Sequence, residues 1–532
     1  MKVLLIKHPT THFKKTAPPV SGLPLGLLSI AGSLKQAGHH VQLYDAIVDA
    51  DEKRWGAACE GGTYRMGATL EEIKHVVADA SPDLVGISNQ YTSQAENAIQ
   101  TARAVKEVNR NIPVVMGGPH ASVMPSTFFE EPGTVDFAVT GEGEYTMVDL
   151  VDCLASEGDL KAVNGIVFSE NGNLVQQKRR AFITDLDTIS LPAYDLLDME
   201  RYFYFNKMGK DGRESYRYPE SERSISMITS RGCPFNCIFC SIHLSMGRKF
   251  RAHSVAYVLD HIRQVQKQYR IKHIHFEDDN VSFDMDRFSN ILDGMMTSRC
   301  NFTWDTPNGV RADFLNEAIL KKCKESGCTY LRIGVESANE EVSKKIVRKH
   351  LDLDTVVNVA KLCRKTNIDL EAFYIIGLPG EMVLQMKDTI DFAVKQERRH
   401  GLAPYSMFTA TPLIGTDLYK ICLDRGYITK ELSSNNMATA TQGEGMITTD
   451  DFSPETLRVL LKNFRRRHLV SKILYSLKFM ILHPRYLLVR LTTYLSLKQL
   501  LPMIGKGTLL SAINELFFYR FKNCVIRKVG RQ

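Results

Sequence analysis

Three cysteines, Cys233, Cys237 and Cys240, stand in the stretch Arg231-Gly-Cys-Pro-Phe-Asn-Cys-Ile-Phe-Cys240. At this C-x3-C-x2-C spacing three thiolates can hold three irons of a cubane cluster, because cysteine thiolate is the usual iron–sulfur ligand. A fourth cysteine does not follow in range, so one iron would stay open to a small molecule. The competing chemistry is zinc, but a structural zinc site normally takes four protein ligands. The other eight cysteines (Cys59, Cys153, Cys300, Cys323, Cys328, Cys363, Cys422 and Cys524) show no paired framework. A reducing cytoplasm follows, which an open cluster also needs.

Something must position that loop. Ser224–Ser230 reads as a strand delivering it to a sheet edge. Strands and helices then alternate: Ile271–Phe276, Asn301–Thr306, Tyr330–Val335, Asp369–Ile376 and Ala403–Thr409 read as strands, with helical periodicity between them. Six such units suit a partial (β/α) barrel, whose site lies at the strand carboxyl ends. Polar residues gather at those ends: Glu277, Asp278 and Asp279 after the second strand, Asn308 and Arg311 after the third, Glu336 and Ser337 after the fourth, and Gly377-Leu-Pro379 after the fifth. A carboxylate there can meet a ligand cation. His243 and His253 flank the cysteine loop and are expected to face solvent.

The first 155 residues alternate in the same way. Strands at 1–8, 40–45, 83–88, 113–117 and 136–140, with helices between, predict a doubly wound parallel sheet. Its strand ends are small and polar: Ser88-Asn-Gln-Tyr-Thr92, Gly117-Gly-Pro-His120 and Gly141-Glu-Gly-Glu144. Ligands of such sheets bind at those ends. These loops leave nucleotide and cobalamin open, although a G-x-G-x-x-G fingerprint is absent. Residues 156–222 read as a connection, with a hairpin at Val163–Val175 and a polar linker or substrate-covering loop at 207–222.

Of 532 residues, 44% are hydrophobic, enough for about three domains. Met1–Ile6 reads as a strand rather than a signal peptide. The net charge of +7 hides an asymmetry: from Thr456 onward sixteen Lys and Arg face one acid, Glu515, a balance of +15 that leaves about −8 on the body. Apolar residues interleave with those cations, including Arg465, Arg466, Arg467, Lys472 and Lys478. No run reaches the length of a membrane span. Basic amphipathic helices on an anionic membrane, or a face packed on the barrel, are the two readings; nucleic acid is not expected.

The cysteine triplet with its strand and acidic motif resembles the cluster loop of radical S-adenosylmethionine (SAM) enzymes. Together with Pro24-Leu-Gly-Leu27, Gly117-Gly-Pro-His120 and Gly141-Glu-Gly-Glu144, it resembles the cobalamin-dependent branch of that family over residues 1–440. The resemblance implies a Rossmann-like cobalamin-binding domain (1–155), a connecting segment (156–222), a partial (β/α)6 radical SAM barrel (223–440) and a basic α-helical C-terminal region (441–532). It implies a [4Fe-4S] cluster on Cys233, Cys237 and Cys240. SAM contacts would come from Phe239, Glu277, Asp278, Asp279, Asn308, Arg311, Glu336, Ser337, Gly377 and Pro379. Cobalamin contacts would come from Ser88, Asn89, Tyr91, Thr92, Gly117, Gly118, Pro119, His120, Gly141, Glu142 and Gly143. The D-x-H-x-x-G motif that supplies a cobalt-ligating histidine is missing, and His120 reads better as a loop-shaping residue. The implied reaction is reductive SAM cleavage to a 5′-deoxyadenosyl radical, followed by methyl transfer to an unactivated carbon or phosphorus of a small or lipid-like substrate. An electron donor such as flavodoxin or ferredoxin is implied. Radical ring closure on a porphyrin-like substrate is the enzymatic alternative, and a corrinoid- or SAM-binding regulator the alternative of another class.

Overall fold

The computed structural model describes residues 1–12, 22–50, 57–58, 64–211, 222–298, 302–428, 436–437, 440 and 445–482. In the first sheet five parallel strands run in the order His40–Asp45, Lys2–Lys7, Leu84–Ser88, Val114–Gly117, Phe137–Val139. Alternation along these strands decides the layers. Leu4, Ile6, Val85, Ile87, Val114 and Met116 pack on one side under Leu70–Ala80 and Ala95–Val108. Val3, Leu5, Leu84 and Val115 pack on the other, under Leu25–Gln36 and Glu144–Ala155. Helix Leu70–Ala80 starts where Thr69 and Glu72 form a reciprocal capping box. The doubly wound expectation holds. One detail differs: the hairpin Ile166–Glu170 and Asn173–Gln176 pairs antiparallel with Phe137–Val139, so the first sheet runs well past residue 155. Its buried Ile166, Val167 and Phe168 complete that sheet's two cores.

Helix Met199–Asp211 ties the halves together. Tyr202 donates to Asp45 at the end of a first-sheet strand (2.5 Å), and Asn206 donates to Ser224 Oγ at the start of the second sheet (3.1 Å). The polar linker expected at 207–222 is helical over its first five residues, and 212–221 lie outside the described residues.

The second sheet has six parallel strands in chain order: Ser224–Met227, His273–Phe276, Thr303–Val310, Cys328–Glu336, Asp369–Ile376 and Ala403–Thr409. Among the described residues its two edge strands do not pair with each other, so the barrel is partial, as the strand count predicts. Outward residues such as Ile274, Leu331, Ile333, Ala372 and Tyr374 bury against Val255–Tyr269, Met285–Thr297, Glu317–Glu325, Leu353–Thr366 and Val383–His400. Ser254, Asp284, Asn316 and Asp352 each accept a backbone N–H of the first turn of the helix they precede. These caps fix where each strand-to-helix loop ends.

The basic tail begins as helix Pro454–Leu482. Its first turns pack on Val383–His400, where Leu457, Leu460, Leu461 and Phe464 enter the barrel core. Arg467 pairs with Asp391 (2.6 Å), and His468 Nδ1 meets Glu397 Oε2 (3.0 Å). The packing reading therefore holds for this segment. Leu474 and Ile481 are exposed farther along. Residues 483–532, with most of the remaining cations, lie outside the described residues. Among the described residues no helix is long and apolar enough to cross a membrane. Leu457→Ala and Phe464→Ala should each lower stability by about 2–5 kcal/mol, as large-to-small core changes do. A shifted denaturation midpoint with unchanged slope checks this. Surface-like values below about 0.5 kcal/mol would show that the helix does not pack there.

Candidate functional site

The cysteine loop leaves the first barrel strand at Thr229–Ser230. There the buried Asp278 carboxylate accepts from Thr229 N (3.0 Å), Thr229 Oγ1 (2.8 Å) and Ser230 Oγ (2.5 Å). Asp279 Oδ2 accepts from Gly232 N (3.2 Å). Gly232 has φ +80°, and a Cβ on it would lie 2.5 Å from Lys249 O, so glycine is required. Farther along, Ile238 N donates to Val347 O (3.3 Å) and Ile238 O accepts from Leu418 N (2.9 Å). Cys233, Cys237 and Cys240 are free and partly buried. Burial pushes all three thiols up, Cys240 to about 12. Such a trio stays protonated until a cation draws the protons off, which is how thiolate metal ligands form. The donor set fits iron.

Around this loop the expected ring of polar residues divides. Glu277 is partly exposed beyond its bond from Ser226 Oγ (2.6 Å), and Asn308 Nδ2 donates to Glu277 O (2.8 Å). Asp279, pushed up to about 6 by burial, sits beside the loop. Glu336 has φ +64° and pairs with Lys349 (2.8 Å), and Gly334 leaves room for that pair, since a Cβ would meet Glu336 Oε1 at 2.3 Å. Phe239 packs partly buried against the barrel core.

Five of the expected residues are engaged within the protein. Asp278 Oδ1 is bonded to Thr229 and Ser230, so its side chain positions the loop, while its Oδ2 is buried without a hydrogen-bond partner. Ser337 is fully buried against Thr389 Oγ1 (3.2 Å) and Asn339 N (3.2 Å). Arg311 pairs with Asp313 (2.7 Å) and lies 3.8 Å over the Phe235 ring, bracing the cysteine loop. Gly377 and Pro379 are buried in a turn whose N–H groups Glu381 accepts, with Leu457 of the tail helix over Gly377. His253 is also buried rather than solvent-facing, stacked on Tyr257 and bonded to Asp187 (3.1 Å).

The lumen side chains were not legible beforehand. His273 and His275 converge on Asp305 (3.2 and 2.8 Å), and the two imidazoles hold that carboxyl well below the usual range. Arg332 pairs with Glu371 (3.3 Å) and stacks on Tyr405 (3.6 Å). Period-two alternation in these strands is the signal that points such residues inward.

At the first sheet's carboxyl edge, Asn89 is fully buried with neither side-chain polar atom bonded. Gly118 has φ +102°, and a Cβ would sit 2.4 Å from Asn89 O. A Cβ on Gly117 would meet nothing within 4 Å, so the loop faces open space. Tyr91 is exposed beside it. His120 Nδ1 meets Thr92 Oγ1 (3.1 Å), and its ring stands edge-on to Phe128; burial pulls its pKa down to about 4. Gly141 N donates to Ser122 Oγ (2.9 Å), linking the two glycine loops. An open glycine cradle with orphaned amide groups beneath it fits a large polar ligand such as a corrinoid. The Glu142 carboxylate turns away from it and is buried on Arg231, Arg251 and Ile183 N.

Residues 17–151 match the B12 binding domain family and residues 227–393 the Radical SAM superfamily. A Pyrococcus horikoshii protein named an uncharacterized methyltransferase is 31% identical over 424 residues, covering 80% of this chain and 83% of its own length. Cytidylyl-2-hydroxyethylphosphonate methyltransferase of Streptomyces wedmorensis is 27% identical, covering 83% and 85%. An anaerobic magnesium-protoporphyrin IX monomethyl ester cyclase of Rubrivivax gelatinosus is 25% identical, covering 79% and 70%. Among solved structures, the radical SAM methyltransferase TsrM of Kitasatospora setae, with cobalamin and [4Fe-4S] cluster bound, superimposes with TM-score 0.62 at 16% identity, covering 81% and 79%. The chain belongs to the cobalamin-dependent radical SAM family. It is a radical SAM enzyme whose cofactors are a [4Fe-4S] cluster, SAM and cobalamin.

Burial also sets an acid limit. His8, His120, His253 and His261 are each pulled from 6.5 to about 4 by burial. Each takes up its proton near 6.5 when unfolded and near 4 when folded. Unfolding therefore binds protons, and stability falls between pH 6.5 and 4 by about 1.4 kcal/mol per pH unit per histidine. The melting temperature should drop on acidification across that window, and His261→Gln should flatten the slope. A slope unchanged in His261→Gln would count against this account of His261.

Proposed function

We propose that Cys233, Cys237 and Cys240 hold the cluster, and that Glu277, Asp279, Asn308, Glu336 and Phe239 line the SAM site beside it. The corrinoid would rest on Ser88, Asn89, Tyr91, Thr92, Gly117, Gly118, Pro119, Gly141 and Gly143, with His120 bracing the loop from below. The supporting observation is convergence: three burial-protonated thiols and the partly exposed carboxylate of Glu277 share one strand-end edge, and the glycine cradle is bonded to the same loop system. When bound, the cluster supplies the electron that splits SAM reductively and the corrinoid supplies a transferable methyl group.

In this reading the protein's own residues orient and exclude. Glu277 and Asp279 offer carboxylate to the SAM ammonium. The Glu336–Lys349 pair closes one side of the pocket. The methyl acceptor is a small or lipid-like molecule that enters at the open barrel mouth, where Phe373 and Phe408 stand 6.2 Å apart; the methyl goes to carbon or phosphorus. Methyl transfer is preferred to ring closure because the two relatives of highest identity given above bear methyltransferase names. A flavodoxin- or ferredoxin-type donor would reduce the cluster. In this reading the first domain extends past residue 155 to take in the hairpin at 166–176, and the other limits are kept as expected from sequence. The tail's first turns belong to the barrel core, so contact with an anionic membrane surface is left to the part of the tail beyond Phe464.

Two outcomes are expected. Cys233→Ala, Cys237→Ala or Cys240→Ala should abolish both iron–sulfur absorbance and 5′-deoxyadenosine formation under anaerobic reducing conditions, while Cys323→Ala retains both. A triplet variant that still cleaves SAM would overturn the assignment. Bound cob(II)alamin should show no histidine nitrogen on cobalt in its electron paramagnetic resonance spectrum, since His120 is clamped between Thr92 and Phe128. A nitrogen-split signal lost in His120→Ala would reverse that role.

A further inference from the structure

Between the two domains lies a buried square of charge that neither cofactor pocket uses. Glu142 and Glu144 follow strand Phe137–Val139 of the first sheet, at the start of helix Glu144–Ala155. Arg231 stands two residues before Cys233. Arg251 faces it across the short antiparallel pair Ser230–Arg231 and Arg251–Ala252. Arg231 donates Nη1 to Glu142 Oε1 (2.9 Å) and Nη2 to Glu144 Oε1 (2.6 Å). Arg251 Nη1 donates to both oxygens of Glu142 (2.7 and 2.9 Å). Ser29 Oγ donates to Glu144 (2.7 Å) and Ile183 N to Glu142 (2.7 Å). The side chains of Glu142, Glu144 and Arg251 are 3–4% exposed and that of Arg231 is 13% exposed. Two acids meet two bases, so the square is neutral, and every charge in it has a partner.

Its location gives it more than a gluing role. On one side, Gly141 N is bonded to Ser122 of the helix that follows Gly117-Gly118, so the glycine cradle and the acids move as one piece. On the other side, Asp279 holds Gly232 N, and the cluster cysteines follow at once. An unbroken path of direct contacts therefore joins the corrinoid edge to the cluster loop. The forked guanidinium of Arg231 bridges both acids, which fixes an angle as well as a distance. Sliding one domain over the other would leave a buried charge uncompensated.

We propose that Glu142, Glu144, Arg231 and Arg251 are positioning residues that hold the corrinoid edge and the cluster loop at one separation, so that a methyl group passes between SAM, corrinoid and acceptor without a change of domain arrangement. The inference rests on the two-cofactor reading above. It assigns none of the four a contact with substrate or cofactor. Transfer between groups held by different domains is sensitive to misplacement of about 1 Å.

The test uses reconstituted full-length protein carrying cob(II)alamin and the reduced cluster, both paramagnetic. Pulsed dipolar spectroscopy should give one narrow distance in the native protein. Glu142→Gln, with iron and corrinoid contents unchanged, should broaden it or add a longer component. In the same variant S-adenosylhomocysteine formation should fall about tenfold while 5′-deoxyadenosine formation stays within about twofold, the split expected of misplacement rather than lost chemistry. Arg251→Lys keeps the charge but loses the fork, and serves if Glu142→Gln does not fold; it should broaden the distance too. Glu142→Asp should recover part of the native distribution. Unchanged distances in both variants would overturn the proposal. So would loss of iron in both, which would confine the square to propping the cluster loop. If the native protein forms no S-adenosylhomocysteine, the methyl-transfer reading fails, while the distance measurement still decides the role of the square.

Discussion

A single buried carboxylate, that of Asp278, fixes where the cysteine loop leaves the barrel. Its Oδ1 gathers three donors from Thr229 and Ser230, and Arg287 completes the corner by donating to Thr229 O (2.9 Å) and His253 O (2.7 Å). Burial pushes the Asp278 carboxyl up, and the hydrogen bonds oppose that. Without these contacts the residues before Cys233 would have buried hydroxyls and amides and no partners for them. Leaving such groups unsatisfied costs about 1–3 kcal/mol each. The loop therefore has one low-energy exit from the sheet, and the three thiols follow from it.

Parallel topology supplies the second constraint. All six barrel strands point the same way, so every strand-to-helix loop opens at one end. Residues far apart in the chain, such as Glu277, Asn308, Glu336 and Cys233, meet there for that reason alone. The lumen below is polar, with His273, His275, Asp305, Arg332 and Glu371 paired among themselves. Internal pairing lets charged side chains occupy a barrel interior.

Between the domains, the acids of Gly141-Glu-Gly-Glu144 spend their charge on arginines rather than on a ligand. Removing one partner of a buried ion pair typically costs about 3–5 kcal/mol, chiefly through the charge left behind. These pairs join the two domains while the glycines of the same motif remain at the first sheet's carboxyl edge. One short motif thus does two jobs, divided between side chain and backbone.

The sequence by itself determined the family, the positions of the parallel strands of the two main sheets, and the cysteine triplet whose spacing suits an iron–sulfur cluster. Those features are local: cysteine spacing, the period-two and period-3.6 patterns, and capping residues such as Ser254 and Asp352 act within a few residues of themselves. It also placed the acidic and glycine motifs at strand ends, because a parallel sheet puts its loops there. Only the tertiary structure decided which polar groups stay partly exposed at the strand ends and which are bonded to other elements. Asp278, Ser337 and Glu142 have the residue types of a binding site, yet each is bonded to a residue on another element. Nothing local distinguishes Glu142 from Glu277; one meets two arginines from 89 and 109 residues away, and the other meets a serine at the open edge. The tail was undecided for the same reason. Its apolar stripe is equally suited to lipid and to protein, and the exposed flank of Val383–His400 is what made Leu457–Phe464 part of the core.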